Sequence, residues 1–482
     1  MRPHGGSPGG GTRRSFLGAS VLARAARASE TRRLHAGVSR VSITPEPGCN
    51  LAGSMTNHLA LAVHDDLYVR ALVLDNGVNR LALVLVDSCA VSSECISRAK
   101  AAIQREAGIA PGNVCVSATH THSAPAAVHL FQSMPDASYV DRLTACVSDS
   151  VRQAAGRLQP ASIGIGSGRA LGLTFNRRFF MKPGAVLNDP FGRASDRVKT
   201  NPGVGNPDIV RAAGGIDSGV GLLAVHDRGG RPIAALASYA LHYVGGAGPS
   251  HISADYFAVW EAVLASKAGV DCPPFVGMLC NGCSGNINNI DVWGTDAPHP
   301  PYRKMEIVAE SLASECVRVW REMKLRNWVE LDGKLDFLNL GVRLPSEAEV
   351  KAARRQLARA PQVDGQYRAV SDIYARETVQ LGQAWPARIR VPVQALRVGP
   401  AAIATFPGEA FVELGLEVKS NSPFRDTFLI GLANGYHGYI PTVEDHQLGG
   451  YETWRAKSSY LEVGAAPKLV ASALRQIGSL KG

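Results

Sequence analysis

RALVLDNGVNRLALVLVD, Arg70 to Asp87, sets two apolar runs on either side of a polar Asp75-Asn76-Gly77 stretch. Asparagine and glycine tolerate the backbone of a tight turn, so the segment reads as a β-hairpin. Just beyond it, Ser92 or Ser93 starts a helix predicted to run to about Glu106. Ile96, Ala99 and Ile103 fall on one face of that helix and Gly108 stops it. NVCVSATH, 113–120, reads as the next strand. Strand, strand, helix, strand is the rhythm of sheets with helices laid outside them.

The same alternation continues along the chain. A helix is predicted over about 139–155, with Val140, Leu143, Val147, Val151 and Ala154 at helical spacing. GVGLLAVHD and PIAALASYALH, 219–242, are strand-like about an Asp-Arg-Gly-Gly turn. Helix at 256–266, strand at 273–280 and a long helix at 305–323 follow, then a hairpin in VQALRVGPAAIATFPG, 393–408. Residues 409–419 look helical, 427–434 strand-like and 466–477 helical, and no internal repeat is evident. The expected fold is α/β, with layered mixed β-sheets flanked by helices in a single large catalytic domain over 36–482. Lys182 to Asp217, rich in Pro, Gly, Asn and Asp, is too long for a structureless connector and is expected to wall a site.

The composition, 45% hydrophobic and 19% charged over 482 residues, is that of a soluble globular protein. No apolar run reaches the ~18 residues of a spanning helix, so any membrane contact is expected to be peripheral. Residues 1–28 stand apart. Thr12-Arg13-Arg14-Ser15-Phe16-Leu17 resembles a twin-arginine export signal, and Ala26-Arg27-Ala28 has the small-x-small pattern of a cleavage site. Export to the periplasm or beyond is therefore expected, against the plainer reading of a basic tail. Cleavage after Ala28 would remove five arginines and lower the formal charge of +10 to about +5. That excess, without a basic run interleaved with aromatics, gives no reason to expect nucleic acid. The nine cysteines are scattered; Cys280 and Cys283 suit packing, a local disulfide, half a zinc site or a redox pair.

Chemistry-bearing residues cluster where strands meet loops. In VSATHTHSAP, His120 and His122 are two apart, which puts both side chains on one strand face with α-carbons about 6.5–7 Å apart. Neutral imidazoles suit zinc, but a site needs three or four ligands from distant segments. His242 ends an apolar run ahead of a Gly-rich loop. Glu409 follows Phe406-Pro407-Gly408, where it serves equally as a ligand or as an acid opening a helix at the positive end of its dipole. Two tyrosines, Tyr436 and Tyr439, lie in the turn after the last strand.

THTHSAP, ASYALH, CNGCSGNINN, FPGEAF and GLANGYHGYIPTVEDHQLGGYE, in that order and at comparable intervals, resemble the catalytic domain of neutral/alkaline non-lysosomal ceramidases. The resemblance runs from about Val41 onward. It implies one Zn2+ held by His120, His242, Glu409 and Tyr439. By the same resemblance His122 either supports the ligands or transfers protons, Arg177 of Phe175-Asn176-Arg177 polarises a carbonyl or binds an oxyanion, and Ser284 matches the serine of the family's Asp-Val-Ser-Pro-Asn segment. Here that segment carries Gly282-Cys283 before the serine and Gly285 after it, and Tyr-Val-Gly-Gly follows His242 where the family often has Pro and Ser. An end at Gly482 leaves no room for the family's C-terminal immunoglobulin-like domain.

The expected activity is zinc-dependent hydrolysis of a linear amide, in an N-acyl sphingolipid such as ceramide or a related N-acyl lipid. Either water or Ser284 is the nucleophile. The alternatives are an exported zinc esterase or amidase for a smaller substrate, and a lipid-binding homologue without catalysis. The expected partner is a lipid or small-molecule substrate.

Overall fold

The computed structural model describes residues 33–185, 188–248, 250–271, 273–294 and 298–481, with Met1 and Gly6. The twin-arginine motif and its cleavage pattern lie outside the described residues. Among the described residues, eight strands make the larger sheet: β1 Leu34–Ser42, β2 Tyr68–Asp75, β3 Arg80–Val86, β4 Val114–Ala118, β5 Gln159–Arg169, β6 Gly219–Asp227, β7 Pro232–Tyr239 and β8 Val276–Asn281. Their order is β8-β7-β6-β5-β1-β2-β3-β4. The outermost pairs, β7 with β8 and β3 with β4, are parallel; every other pair is antiparallel. A second sheet joins β9 Leu331–Gly341, β10 Arg388–Val398, β11 Ala401–Thr405 and, past the two-residue strand β12 Glu409–Ala410, β13 Asp426–Ile430. It too is antiparallel except for its last pair, β11 with β13.

This wiring is one pattern used three times. Three antiparallel strands lead into a helix, then a fourth strand parallel to the third, then a second helix. Residues 34–156 complete the first unit with α1 Ser93–Ala107 and α2 Ala137–Gly156. Residues 159–322 do so with α3 Tyr256–Ala268 and α4 Arg303–Glu322. Residues 331–481 insert α5 Glu347–Leu357 and α6 Val370–Ala384 after their first strand, then follow the pattern with α7 Val412–Asn421 and α8 Ala465–Lys481. The repeat is absent from the residue identities and present in the topology.

Burial follows the units. Alternate strand residues of all three meet in one inner core, including Leu72, Leu83 and Leu85 from the first, Leu223, Leu236 and Met278 from the second and Leu396, Ile403 and Phe428 from the third. The opposite strand faces each pack under that unit's own helix pair. Phe428 lies so close to β6 that a Cβ on Gly221 would stand 2.2 Å from its ring. The fourth strands meet at their carboxyl ends, where Gly431 donates to Asn281 O (2.8 Å) and Asn434 to Val116 O (2.7 Å).

Local signals explain most of the elements. Ser92 caps α1 by accepting from Cys95 N, and Gly108 ends it in a left-handed conformation. The helix expected from Glu409 begins at Val412 instead, because Glu409 and Ala410 pair as β12 with β14, Tyr439–Ile440. Lys182–Asp217 is threaded through a small three-stranded sheet, Arg178–Met181, Val198–Thr200 and Ile209–Ala212. Cys280 and Cys283 are both free and buried, so packing is the reading they keep. Among the described residues no helix is long and apolar enough to cross a membrane.

Because the inner core belongs to all three units, they are expected to unfold together. Ile403→Ala should cost about 2–5 kcal/mol in urea denaturation, with one transition by fluorescence and circular dichroism. A separate early transition confined to the third unit would contradict the shared core.

Candidate metal centre

The parallel strand pairs of the three units end at one place, and each exit contributes a polar side chain. His120 follows β4, His242 follows β7 and Glu409 follows β11. All three are buried, at 2%, 1% and 6% exposure, and together they form a donor group able to hold a metal ion. His120 adopts a φ of 72°, unusual for a residue with a Cβ, and its ring turns inward.

The two imidazoles are oriented in the same way. His120 Nδ1 donates to Cys89 O at 2.7 Å and His242 Nδ1 to Ser284 O at 3.0 Å. A carbonyl only accepts, so each ring carries its proton on Nδ1 and turns a bare Nε2 toward the other, 3.0 Å away. Glu409 Oε2 lies 3.3 Å from His120 Nε2 and 3.5 Å from His242 Nε2, buried, with no hydrogen-bond donor among the described residues. Lone pairs crowded this closely repel unless a positive charge lies among them. Without a metal that charge is a proton on His120: burial opposes it, but Glu409 and Cys89 hold the imidazole well above its ordinary range. His242 is pushed well down by burial, by Arg177 and by the neighbouring imidazoles. Burial would raise Glu409, yet His120 and Arg177 keep it below the usual carboxylate range. Two imidazole nitrogens and an ionised carboxylate fit a zinc-type ion.

The remaining expected residues are gathered around this trio. Tyr439 is the strand partner of Glu409 and sits with its ring 5.4 Å from the Arg177 guanidinium. Burial and the Glu409 charge keep it a phenol. His122 Nε2 lies 3.3 Å from His120 Nε2, its ring stacked on Tyr243 at 3.6 Å. On its other side stands Gly53, where a Cβ would be 2.4 Å from the imidazole Cγ. Burial, His120 and Arg177 hold His122 well below its ordinary pKa, so it is neutral. Ser284 orients His242 through its carbonyl, while its hydroxyl donates to Asn281 Oδ1 at 2.6 Å. Arg177 donates from Nε to Glu452 Oε1 (2.9 Å) and from Nη2 to Gly285 O (2.6 Å).

Three further neighbours surround the trio, of which the sequence singles out only Tyr436, as a turn tyrosine. Tyr436 donates to Glu409 Oε1 at 2.9 Å, and the Tyr451 ring meets that of Tyr439 edge to face with centroids 5.6 Å apart. Glu452, fully buried, accepts from Arg177, Arg178 and Thr200. Glu452→Ala would leave two guanidinium groups buried against each other. We expect a loss of about 3–5 kcal/mol in urea denaturation; a loss below 1 kcal/mol would show that Asp445 alone neutralises the pair.

Residues 35–288 match the family model for neutral/alkaline non-lysosomal ceramidase, N-terminal. That span contains His120, His122, Arg177, His242 and Ser284, while Glu409 and Tyr439 lie beyond it. Neutral ceramidase of Pseudomonas aeruginosa is 23% identical over 488 residues, covering 86% of this chain and 68% of that protein. The crystal structure of that neutral ceramidase superposes with a TM-score of 0.70 at 18% identity, over 93% of this chain and 75% of the other. A ceramidase complexed with C2 also gives 0.70, at 17% identity and the same coverage. The chain belongs to the neutral/alkaline non-lysosomal ceramidase family.

Proposed function

We propose that this protein is a zinc-dependent hydrolase of a linear amide, acting on an N-acyl sphingolipid such as ceramide or a close N-acyl relative. The observation that carries the reading is the buried, donor-free oxygen of Glu409 facing the two bare imidazole nitrogens, in a chain of the ceramidase family. His120, His242 and Glu409 would hold the ion, with Tyr439 the fourth donor. Zinc bound there supplies a Lewis acid that polarises the acyl carbonyl and acidifies water.

The chain's own groups then have distinct tasks. His122, neutral and clamped against Tyr243, takes a proton from the attacking water and passes it to the leaving amine. Arg177, held by Glu452 and Gly285 O, offers positive charge to the carbonyl oxygen as it becomes negative. The Ser284 proton goes to an amide oxygen, and no imidazole is bonded to receive it. That favours water over serine as nucleophile. A cavity of about 370 Å³, lined by Tyr451, Trp454, Val198 and Val370 together with polar groups such as Asp196 and Lys199, is our candidate for the acyl tail. Tyr451, in that lining, packs its ring against Tyr439. Export by the twin-arginine route belongs to the same reading and predicts a mature N-terminus just after Ala28, found by mass spectrometry of protein recovered from the periplasm or medium.

Purified protein should contain about one zinc per chain, lost together with activity in His120→Ala. A fully active metal-free enzyme would refute the proposal. Long-chain ceramides should be cleaved in preference to short acyl anilides and simple esters; the reverse order would assign a smaller substrate. Rapid-quench mass spectrometry should find no acyl group on Ser284, and an adduct there would transfer the attack to the serine.

A further inference from the structure

His242 lies in a loop whose carbonyl side is held by Asn289, which donates to Val244 O at 2.8 Å, and whose amide side is held by a group from the start of α3. Asp255 is 1% exposed. Its Oδ1 accepts from Val244 N (3.0 Å) and Tyr256 N (2.6 Å), and its Oδ2 accepts from Gly245 N (2.8 Å). One carboxylate thus caps α3 and holds the two residues after Tyr243, which itself stacks on His122. Asp255 does this from φ 60° and ψ −157°, a conformation essentially restricted to glycine. A backbone that costly persists where its surroundings dictate it, and such residues gather around functional sites.

The same turn grips the other histidine loop. Thr121 Oγ donates to Ser253 O at 2.7 Å, and Ser253 N donates to Ser123 O at 2.9 Å. Asp65 anchors the turn from below, accepting from Ser253 Oγ (2.6 Å) and Ala254 N (2.7 Å). Ser253 Oγ lies 3.0 Å from Asp255 N. Residues 253–255 therefore bridge the loop of His120 and His122 to the loop of His242 and Tyr243.

We propose that Asp255 is a positioning residue: by gathering the Val244, Gly245 and Tyr256 amides it fixes the His242 loop, and through Ser253 it sets the separation of the two imidazoles. The inference rests on the metal-site reading above, but its structural half can be tested without a metal. Asp255→Gly relieves the backbone and removes the carboxylate; Asp255→Asn keeps the backbone and one acceptor oxygen.

In metal-free full-length protein, hydrogen exchange over 241–247 should quicken about 10-fold or more in Asp255→Gly, while the core strands of the first unit stay as in the wild type. Zinc affinity, measured by chelator competition, should fall about 10-fold or more in the same variant. The cobalt-substituted visible spectrum should change with it. Asp255→Asn should recover part of both losses. Unchanged exchange over 241–247 overturns the proposal. So do wild-type zinc affinity and cobalt spectrum in Asp255→Gly, whatever happens to its melting temperature. If the wild type takes up no zinc, the proposed function falls, and the exchange measurement still decides whether Asp255 holds the loop.

Discussion

Two backbone carbonyls decide what this site can be. Cys89 O and Ser284 O each take the Nδ1 proton of an imidazole, and that leaves His120 and His242 with bare Nε2 atoms aimed at each other and at Glu409. Had either ring been flipped, an N–H would point into the centre and satisfy Glu409 by an ordinary hydrogen bond. As built, the fold concentrates acceptors where, among the described residues, no side chain donates to Glu409 Oε2. Buried polar groups are normally paired, so such a cluster is stable only with a cation or a proton at its heart.

The threefold pattern explains how one chain achieves this. In each unit the exits of the third and fourth strands lie side by side, because those strands are parallel. The first unit uses its third exit, Cys89, to orient the histidine at its fourth, His120. The second reverses the roles, with Ser284 at the fourth exit orienting His242 at the third. The third unit pairs Glu409 with the Tyr436 and Tyr439 turn. Every donor is thus aimed from within its own unit, and the inner core sets how the three units meet.

What could be read in the sequence was what short-range chemistry controls. The hairpin at Asp75-Asn76-Gly77, the Ser92 cap and the Gly108 stop each depend on neighbours only a few residues away. His120 and His122 are visible by their spacing and His242 by ending an apolar run, but what joins them into one site is the order of the family motifs. Glu409 carries two readings, ligand and helix start, and the sequence alone does not separate them, because its β-pairing depends on Tyr439, far along the chain. The repeat is not legible in the sequence because burial and wiring preserve it while the residues do not. Asp255 had a legible half, its cap on α3, but its bonds to Val244 and Gly245 exist only in three dimensions.

The walls of the site obey a different rule from its floor. Gly53 and Arg177 both come from the segment between the first and second strands of a unit, and the third unit places α5 and α6 at the same point. Such insertions leave the strand exits untouched, so they can change without disturbing the donors. They are not loosely attached, however. Arg177 and Arg178 enter the buried interior only because Glu452, Asp445 and several carbonyls receive them. Burying that much charge is favourable only if every partner is present, which binds the second unit's insertion to the third unit's closing turn. Substrate preference is therefore expected to vary in the insertions' outward residues, while the ion-paired root stays as constant as the donors it surrounds.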